Sequence, residues 1–166
     1  RKIDILVCNA GVLNSYGGLE DPAHHSRAIE SVLMTNIAGV FFTARSFLPH
    51  LLEPADGDNH PSGMTGKIAV ISSIMGSQER ASSNAPIYRA SKAGATNIAR
   101  TLAVDLAPRG VAVGAYHPGW VRTDMGGDAA DVAPADSAAG LLARIDALDL
   151  ATTGIYESYR GEALPF

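Results

Sequence analysis

Sulfur, aromatic groups and positive charge are all scarce in this sequence. Its single cysteine, Cys8, excludes an internal disulfide and suits a reducing, cytoplasmic setting. The 13 Lys and Arg residues are scattered and outnumbered by 17 Asp and Glu, giving a net charge of -4. Without a basic stripe, nucleic acid is not an expected partner. No apolar run reaches membrane-spanning length, and no signal peptide opens the chain. The five histidines make no metal-ligand pattern, because His24 and His25 are adjacent and the others are scattered. A serine hydrolase is disfavoured too, since no Gly-x-Ser-x-Gly elbow occurs.

What is present suits one globular domain: 166 residues, 46% of them hydrophobic, are enough to bury a core. Ile3 to Cys8 is a short, nearly continuous apolar run, which predicts a strand buried on both faces of a parallel sheet. Cys8 itself reads as packing rather than redox chemistry. After a loop over residues 12 to 22, apolar residues recur at helical spacing from Ala23 to Leu52, and Asn36 interrupts that face. Glu53 to Gly66 reads as a polar surface loop, mobile and functionally silent. Strands are expected over Lys67 to Ile74 and Val111 to Tyr116, with a final strand and turn within Gly154 to Gly161. Helices are expected over the Ala-rich segment that ends at Pro108-Arg-Gly110 and over Pro134 to Leu150.

One pair of residues suggests chemistry. Tyr88 and Lys92 are four apart near the start of a helix, so they project from one face, one turn apart. A phenol titrates near ~10, and a neighbouring ammonium favours its ionised form. That makes Lys92 the group expected to render Tyr88 acidic. Taken alone the pair is a weak signal, but four further stretches accompany it in order: Asp4-Ile-Leu-Val-Cys-Asn-Ala-Gly11, Thr35-Asn-Ile-Ala-Gly39, Ile71-Ser-Ser-Ile-Met-Gly76 and His117-Pro-Gly-Trp-Val-Arg-Thr123.

Together these stretches resemble the short-chain dehydrogenase/reductase family, most closely its carbonyl-reductase-like members of the C-factor and sniffer type. The resemblance spans nearly the whole chain. It implies an α/β fold with a partial Rossmann-like, doubly wound parallel sheet, made of strands four to seven of the family fold. The family's first three strands, with their glycine-rich dinucleotide turn, have no counterpart here. The start at Arg1 without methionine adds to the expectation of an amino-terminally truncated single domain, residues 1 to 166. Such a fragment is expected to bind a dinucleotide poorly and to aggregate through an unpaired first strand.

The resemblance also implies roles. Asn36, Ser73, Tyr88 and Lys92 correspond to the catalytic residues of an NAD(P)-dependent oxidoreductase that interconverts a carbonyl and an alcohol. Ser73 is preferred over Ser72 because Gly76 follows it at the family's spacing. Asn36 reads equally as a polar residue that holds a helix irregularity. Asn9, Ala10, Gly11, Tyr88, Lys92, Pro118, Gly119, Val121 and Thr123 correspond to cofactor-binding positions, with NADP favoured over NAD by resemblance only. Gln78 to Ala85 forms a lip over the substrate. Met125 to Ala133 is either a flexible lid or a disordered connection. The partners implied are a small carbonyl or alcohol substrate and a second copy of the chain. The alternatives are a non-catalytic binding or signalling relative of the same fold, or a fragment inactive on its own.

Overall fold

The computed structural model describes residues 1–53 and 63–166, and its four strands form one parallel sheet in the order β1-β2-β3-β4. The strands are β1 (Ile5–Cys8), β2 (Gly66–Ile71), β3 (Val111–His117) and β4 (Tyr156–Ser158). The expected α/β class with an all-parallel sheet is therefore the one found. Most of the Glu53 to Gly66 loop lies outside the described residues.

Parallel strands need helical crossovers, and these cover both faces of the sheet. On one face α2 (Gly39–Leu51) and α3 (Pro86–Leu106) bring Val40, Ala44, Leu51, Ala95, Ala99, Ala103 and Leu106 against Leu6, Ile68, Val70, Val111 and Val113. Each fully buried Leu, Ile or Val contributes roughly 1.5–3 kcal/mol through burial. The alanines let α3 approach the sheet closely. The opposite face is covered by α4 (Pro134–Ala147), whose Ile145 packs on Ala69, Ile71 and Tyr116.

β1 departs from the expectation of burial on both faces. Leu6 and Cys8 are buried, but Ile5 and Val7 are 37% and 45% exposed. The reason is positional: β1 pairs with β2 alone, and α4 covers the sheet at its other end. The Cys8 thiol, pushed up to about 11 by burial, is held protonated and inert.

The long amphipathic segment forms α1 (Ser26–Leu33), a π-helical turn (Met34–Ala38) and α2 without a break. His25 caps it by accepting a hydrogen bond from the Ala28 N–H. The 26 residues from Ser26 to Leu51 are long and apolar enough, by length and composition, to cross a membrane. The segment holds no uninterrupted apolar run of that length, because Thr35, Asn36, Arg45 and Ser46 divide it. Here Val32, Asn36, Val40, Ala44 and Leu51 are buried, so the helix is one wall of the domain.

Helix α3 starts at Pro86, suited to a first turn that needs no N–H. Just before it, Ala85 adopts φ 47°, a left-handed conformation that non-glycine residues adopt at a cost. Its N–H donates to the Gly17 carbonyl at 2.9 Å, which ties this turn to the loop after β1.

Candidate active site

Strand alternation sends Ser72 and Ser73, at the carboxyl end of β2, to different tasks. The Ser72 hydroxyl donates to the Lys92 carbonyl at 3.1 Å and lies 2.6 Å from the Thr96 hydroxyl, so it stitches the strand end to α3. Ser73 has extended backbone and caps a single 3-10 turn (Ile74–Gly76) by accepting from the Met75 N–H at 3.2 Å. Gly76 lies so close to α3 that a Cβ would come within 2.7 Å of the Ala93 nitrogen and the Lys92 carbonyl carbon. That proximity is the physical basis of the Ser-x-x-Gly spacing.

Tyr88 and Lys92 are both buried in the first turns of α3. The Lys92 amine stands 5.7 Å from the Tyr88 ring centroid and donates to the Ile71 carbonyl at 2.9 Å. Ser73, whose hydroxyl neighbours the Tyr88 phenol, thus stands with Tyr88 and Lys92 where β2 meets α3. Their electrostatics differ from what the sequence predicts. Burial raises the Tyr88 phenol above its ordinary value, the neighbouring Ser73 hydroxyl acts to lower it, and Tyr16 acts to raise it. Lys92 is not among the groups that shift Tyr88, and its own amine is drawn down to about 8 by burial. The net direction is upward, where lowering was expected: the Lys92 amine donates to a backbone carbonyl, and loss of hydration is the largest influence on the phenol.

Asn36 sits in the π turn, 1% exposed. Its amide donates to the Val12 carbonyl at 2.8 Å and the Ser91 hydroxyl at 2.9 Å, while its oxygen accepts from the Val12 N–H at 2.8 Å. It joins the loop after β1 to the helix that carries Tyr88, and Ser91 in turn donates to the Tyr88 carbonyl at 2.7 Å. Single π turns recur at functional sites. The reading of Asn36 as a residue that holds a helix irregularity matches this geometry.

The remaining sequence-derived positions line the same end of the sheet. Asn9, Ala10 and Gly11 follow β1, and a Cβ at Gly11 would lie 3.1 Å from the Lys92 amine. Pro118 and Gly119 follow β3, with Gly119 at φ 87°. Val121 forms a bridge with Val132, and the exposed Thr123 hydroxyl caps its own turn by accepting from the Gly126 N–H at 3.2 Å. Carboxyl ends of parallel strands are where doubly wound sheets bind ligands. Of the two readings for Met125 to Ala133, a disordered connection does not fit. Ala130 and Val132 are buried, Arg122 donates to the Ala130 carbonyl at 3.1 Å, and the Tyr16 hydroxyl donates to the Met125 carbonyl at 3.3 Å.

Two contributors escaped sequence reasoning. Arg89, beside Tyr88, binds the lip from within: its guanidinium donates to the carbonyls of Met75, Arg80 and Asn84 at 3.3, 3.0 and 3.0 Å. Tyr156 on β4 donates to the Ser73 carbonyl at 2.5 Å. Arg89 lay inside a motif already singled out, though nothing in the motif gives its direction. Tyr156 is 83 residues from its partner and left no local signal.

The arrangement can polarise a carbonyl and exchange a proton with it beside an ammonium group. Residues 1–133 match the family described as short chain dehydrogenase, and the chain belongs to that family. It is similar to C-signal of Myxococcus xanthus, at 32% identity over 165 residues, covering 99% of this chain and 93% of that protein. Among solved structures it is similar to carbonyl reductase Sniffer of D. melanogaster, with a TM-score of 0.90 and 29% identity over 99% of this chain. An NADPH-bound carbonyl reductase from chicken fatty liver gives a TM-score of 0.85 and 26% identity over 99% of this chain. The chain spans 67% and 66% of those two structures.

Proposed function

We propose that the chain carries the catalytic centre of an NAD(P)-dependent oxidoreductase that reduces a small carbonyl compound, with Tyr88 as the general acid. The supporting observation is the convergence of Ser73, Tyr88 and Lys92 on one site at the carboxyl end of β2. When bound, the nicotinamide would supply the hydride. In this reading the Ser73 hydroxyl donates a hydrogen bond to the substrate oxygen, and the Tyr88 hydroxyl delivers the proton that oxygen takes up. A phenol raised by burial holds its proton at neutral pH, as a general acid must. Lys92, at about 8, is mostly charged at pH 7 and would face the nicotinamide ribose. Asn36 holds the loop after β1 against α3.

The residues suit the nicotinamide half of a dinucleotide. Gly11 keeps the end of β1 free of a side chain beside the Lys92 amine, and Gly119 takes φ 87° where a Cβ would meet Tyr159 and Val132, so the turn after β3 needs glycine. Pro118, Val121 and Thr123 would flank the ring, and Asn9 and Ala10 the adenosine side. NADP is favoured because the similar chicken carbonyl reductase is NADPH-bound. Exposed Phe41, Phe42 and Phe47 on α2 support self-association, and the inert thiol suits a cytoplasmic setting.

The test uses Trp120, the single tryptophan, which adjoins the Pro118-Gly119 turn and is 52% exposed. NADPH should quench it, and carbonyl-dependent NADPH oxidation should vanish in Tyr88→Phe with quenching retained. Full activity in Tyr88→Phe would remove the proposed acid. A second reading, a signalling module that kept the fold, draws on the match to C-signal over most of its length. It is favoured if NADPH quenches Trp120 yet no carbonyl compound is turned over, whereas loss of both signals is the outcome expected of a fragment that binds the dinucleotide poorly.

A further inference from the structure

A second row of hydroxyls lies behind Ser73 and Tyr88, out of reach of any ligand. Tyr156 is 3% exposed, and its hydroxyl donates to the Ser73 carbonyl at 2.5 Å. The geometry is unusual for a sheet in the order β1-β2-β3-β4, because the side chain leaves β4 and must pass β3 to reach the end of β2. Its partner in register on β3 is Ala115, which leaves room for the ring. Both belong to the buried core between the sheet and α3. Ser72 and Thr96 complete the row: both hydroxyls lie within hydrogen-bond distance of the Lys92 carbonyl, at 3.1 and 3.0 Å, and 2.6 Å from each other, where one donates to the other.

We propose that Tyr156 is a positioning residue, which through the Ser73 carbonyl aims the Ser73 hydroxyl at Tyr88, while Ser72 and Thr96 fix the helix that carries Tyr88. The Ser73 peptide is held from two directions. Its carbonyl accepts from Tyr156 and from the Gly76 N–H at 2.8 Å, and its hydroxyl accepts from Met75 on the other side. Releasing the Tyr156 bond leaves the Ser73 carbonyl held, among the described residues, by the short 3-10 turn. Single-turn 3-10 segments have weak hydrogen-bond geometry, so the Ser73 hydroxyl is then free to drift.

Tyr156 is itself braced by the end of the chain. The Leu164 N–H donates to its carbonyl at 2.9 Å, and the Phe166 ring lies 5.5 Å from its own. The Arg100 guanidinium, from α3, covers the outer face of Phe166 at 3.8 Å. The last residues of the chain are thereby coupled to the serine that the proposed function places on the substrate oxygen, and the inference rests on that reading.

The test follows the Tyr88 phenol by carbon NMR of protein labelled at the tyrosine Cζ, a position that responds to hydrogen bonding at the hydroxyl. The five tyrosines are few enough to resolve, and Tyr88→Phe assigns the one of interest. Ser73→Ala should shift the Tyr88 resonance. Tyr156→Phe should shift it in the same direction, Phe166→Ala less so, and Ser73→Ala with Tyr156→Phe no further than Ser73→Ala alone. Tyr156→Phe should also lower kcat about tenfold or more with NADPH affinity unchanged. A Tyr156→Phe protein that is less stable, yet leaves the Tyr88 resonance in place while Ser73→Ala moves it, overturns the positioning role. If Ser73→Ala itself leaves Tyr88 unmoved, the pairing in the proposed function fails as well. The resonance is read without cofactor or substrate, so it decides the role of Tyr156 whether or not turnover is found.

Discussion

His117, at the end of β3, should make the protein sensitive to mild acid. Its Nδ1 is buried with no hydrogen-bond partner among the described residues, and burial, aided by the charge of Arg80, draws the imidazole from 6.5 down to about 4. Above pH 6.5 the ring is neutral in both folded and unfolded chains, so its contribution to stability is fully present. As pH falls from 6.5 towards 4, the unfolded chain takes up a proton that the fold refuses, and stability is lost through that window. The slope approaches about 1.4 kcal/mol per pH unit and the total is at most about 3 kcal/mol, a large share of the 5–15 kcal/mol typical of a domain. Buried Glu157, raised by desolvation, works in the opposite sense, favouring the fold as pH drops through its range. Comparison with a variant that lacks only the imidazole isolates the effect. Urea unfolding followed by circular dichroism at pH 7, 6, 5 and 4.5 should show the unaltered chain losing stability relative to His117→Asn, with the gap opening below pH 6.5. Parallel pH profiles for the two proteins would refute the reasoning.

Lys92→Met should stabilise the protein at pH 7 and progressively less towards pH 10.5. The amine drawn down to about 8 makes its charged form costly below that value, and the same denaturation assay reads the difference. Gly76→Ala should destabilise by about 1–3 kcal/mol, because the added methyl meets α3 backbone rather than a movable side chain, and calorimetry measures it. Arg89→Ala should free the lip, seen as faster limited proteolysis between residues 77 and 84 with the rest of the chain resistant. Val7→Lys should reduce self-association in analytical ultracentrifugation by charging the open face of β1. Unchanged sedimentation would show that this face does not drive it.

Much of the fold was legible because its signals are local and periodic. The apolar runs that became β2 and β3 are short and continuous, as doubly covered strands require, and the helical spacing from Ala23 to Leu52 survived the π turn. The chemistry-bearing pair on α3 was legible for the same reason, since four residues make one turn. The exposure of Ile5 and Val7 was not, because it depends on what covers the sheet beside β1. The ionisation of Tyr88 was misjudged for a related reason. Spacing brought Lys92 near the ring, but it carried no information about the Ile71 carbonyl that takes the amine or the burial that raises the phenol. Arg89 and Tyr156 act through backbone carbonyls, and such partners leave no imprint on sequence patterns.

The π turn at Met34–Ala38 holds one residue more than an α-helical turn would, and it sets the phase of everything after it. At 3.6 residues per turn, one residue is worth about 100° of rotation. Winding those same residues as regular α-helix, with none deleted, would swing Val40, Ala44 and Leu51 away from the strands by that angle and turn the residues before them, Gly39, Thr43 and His50, inward. A segment that reads as one uninterrupted helix is therefore two helices indexed against each other, with Asn36 at the joint where their faces are reconciled.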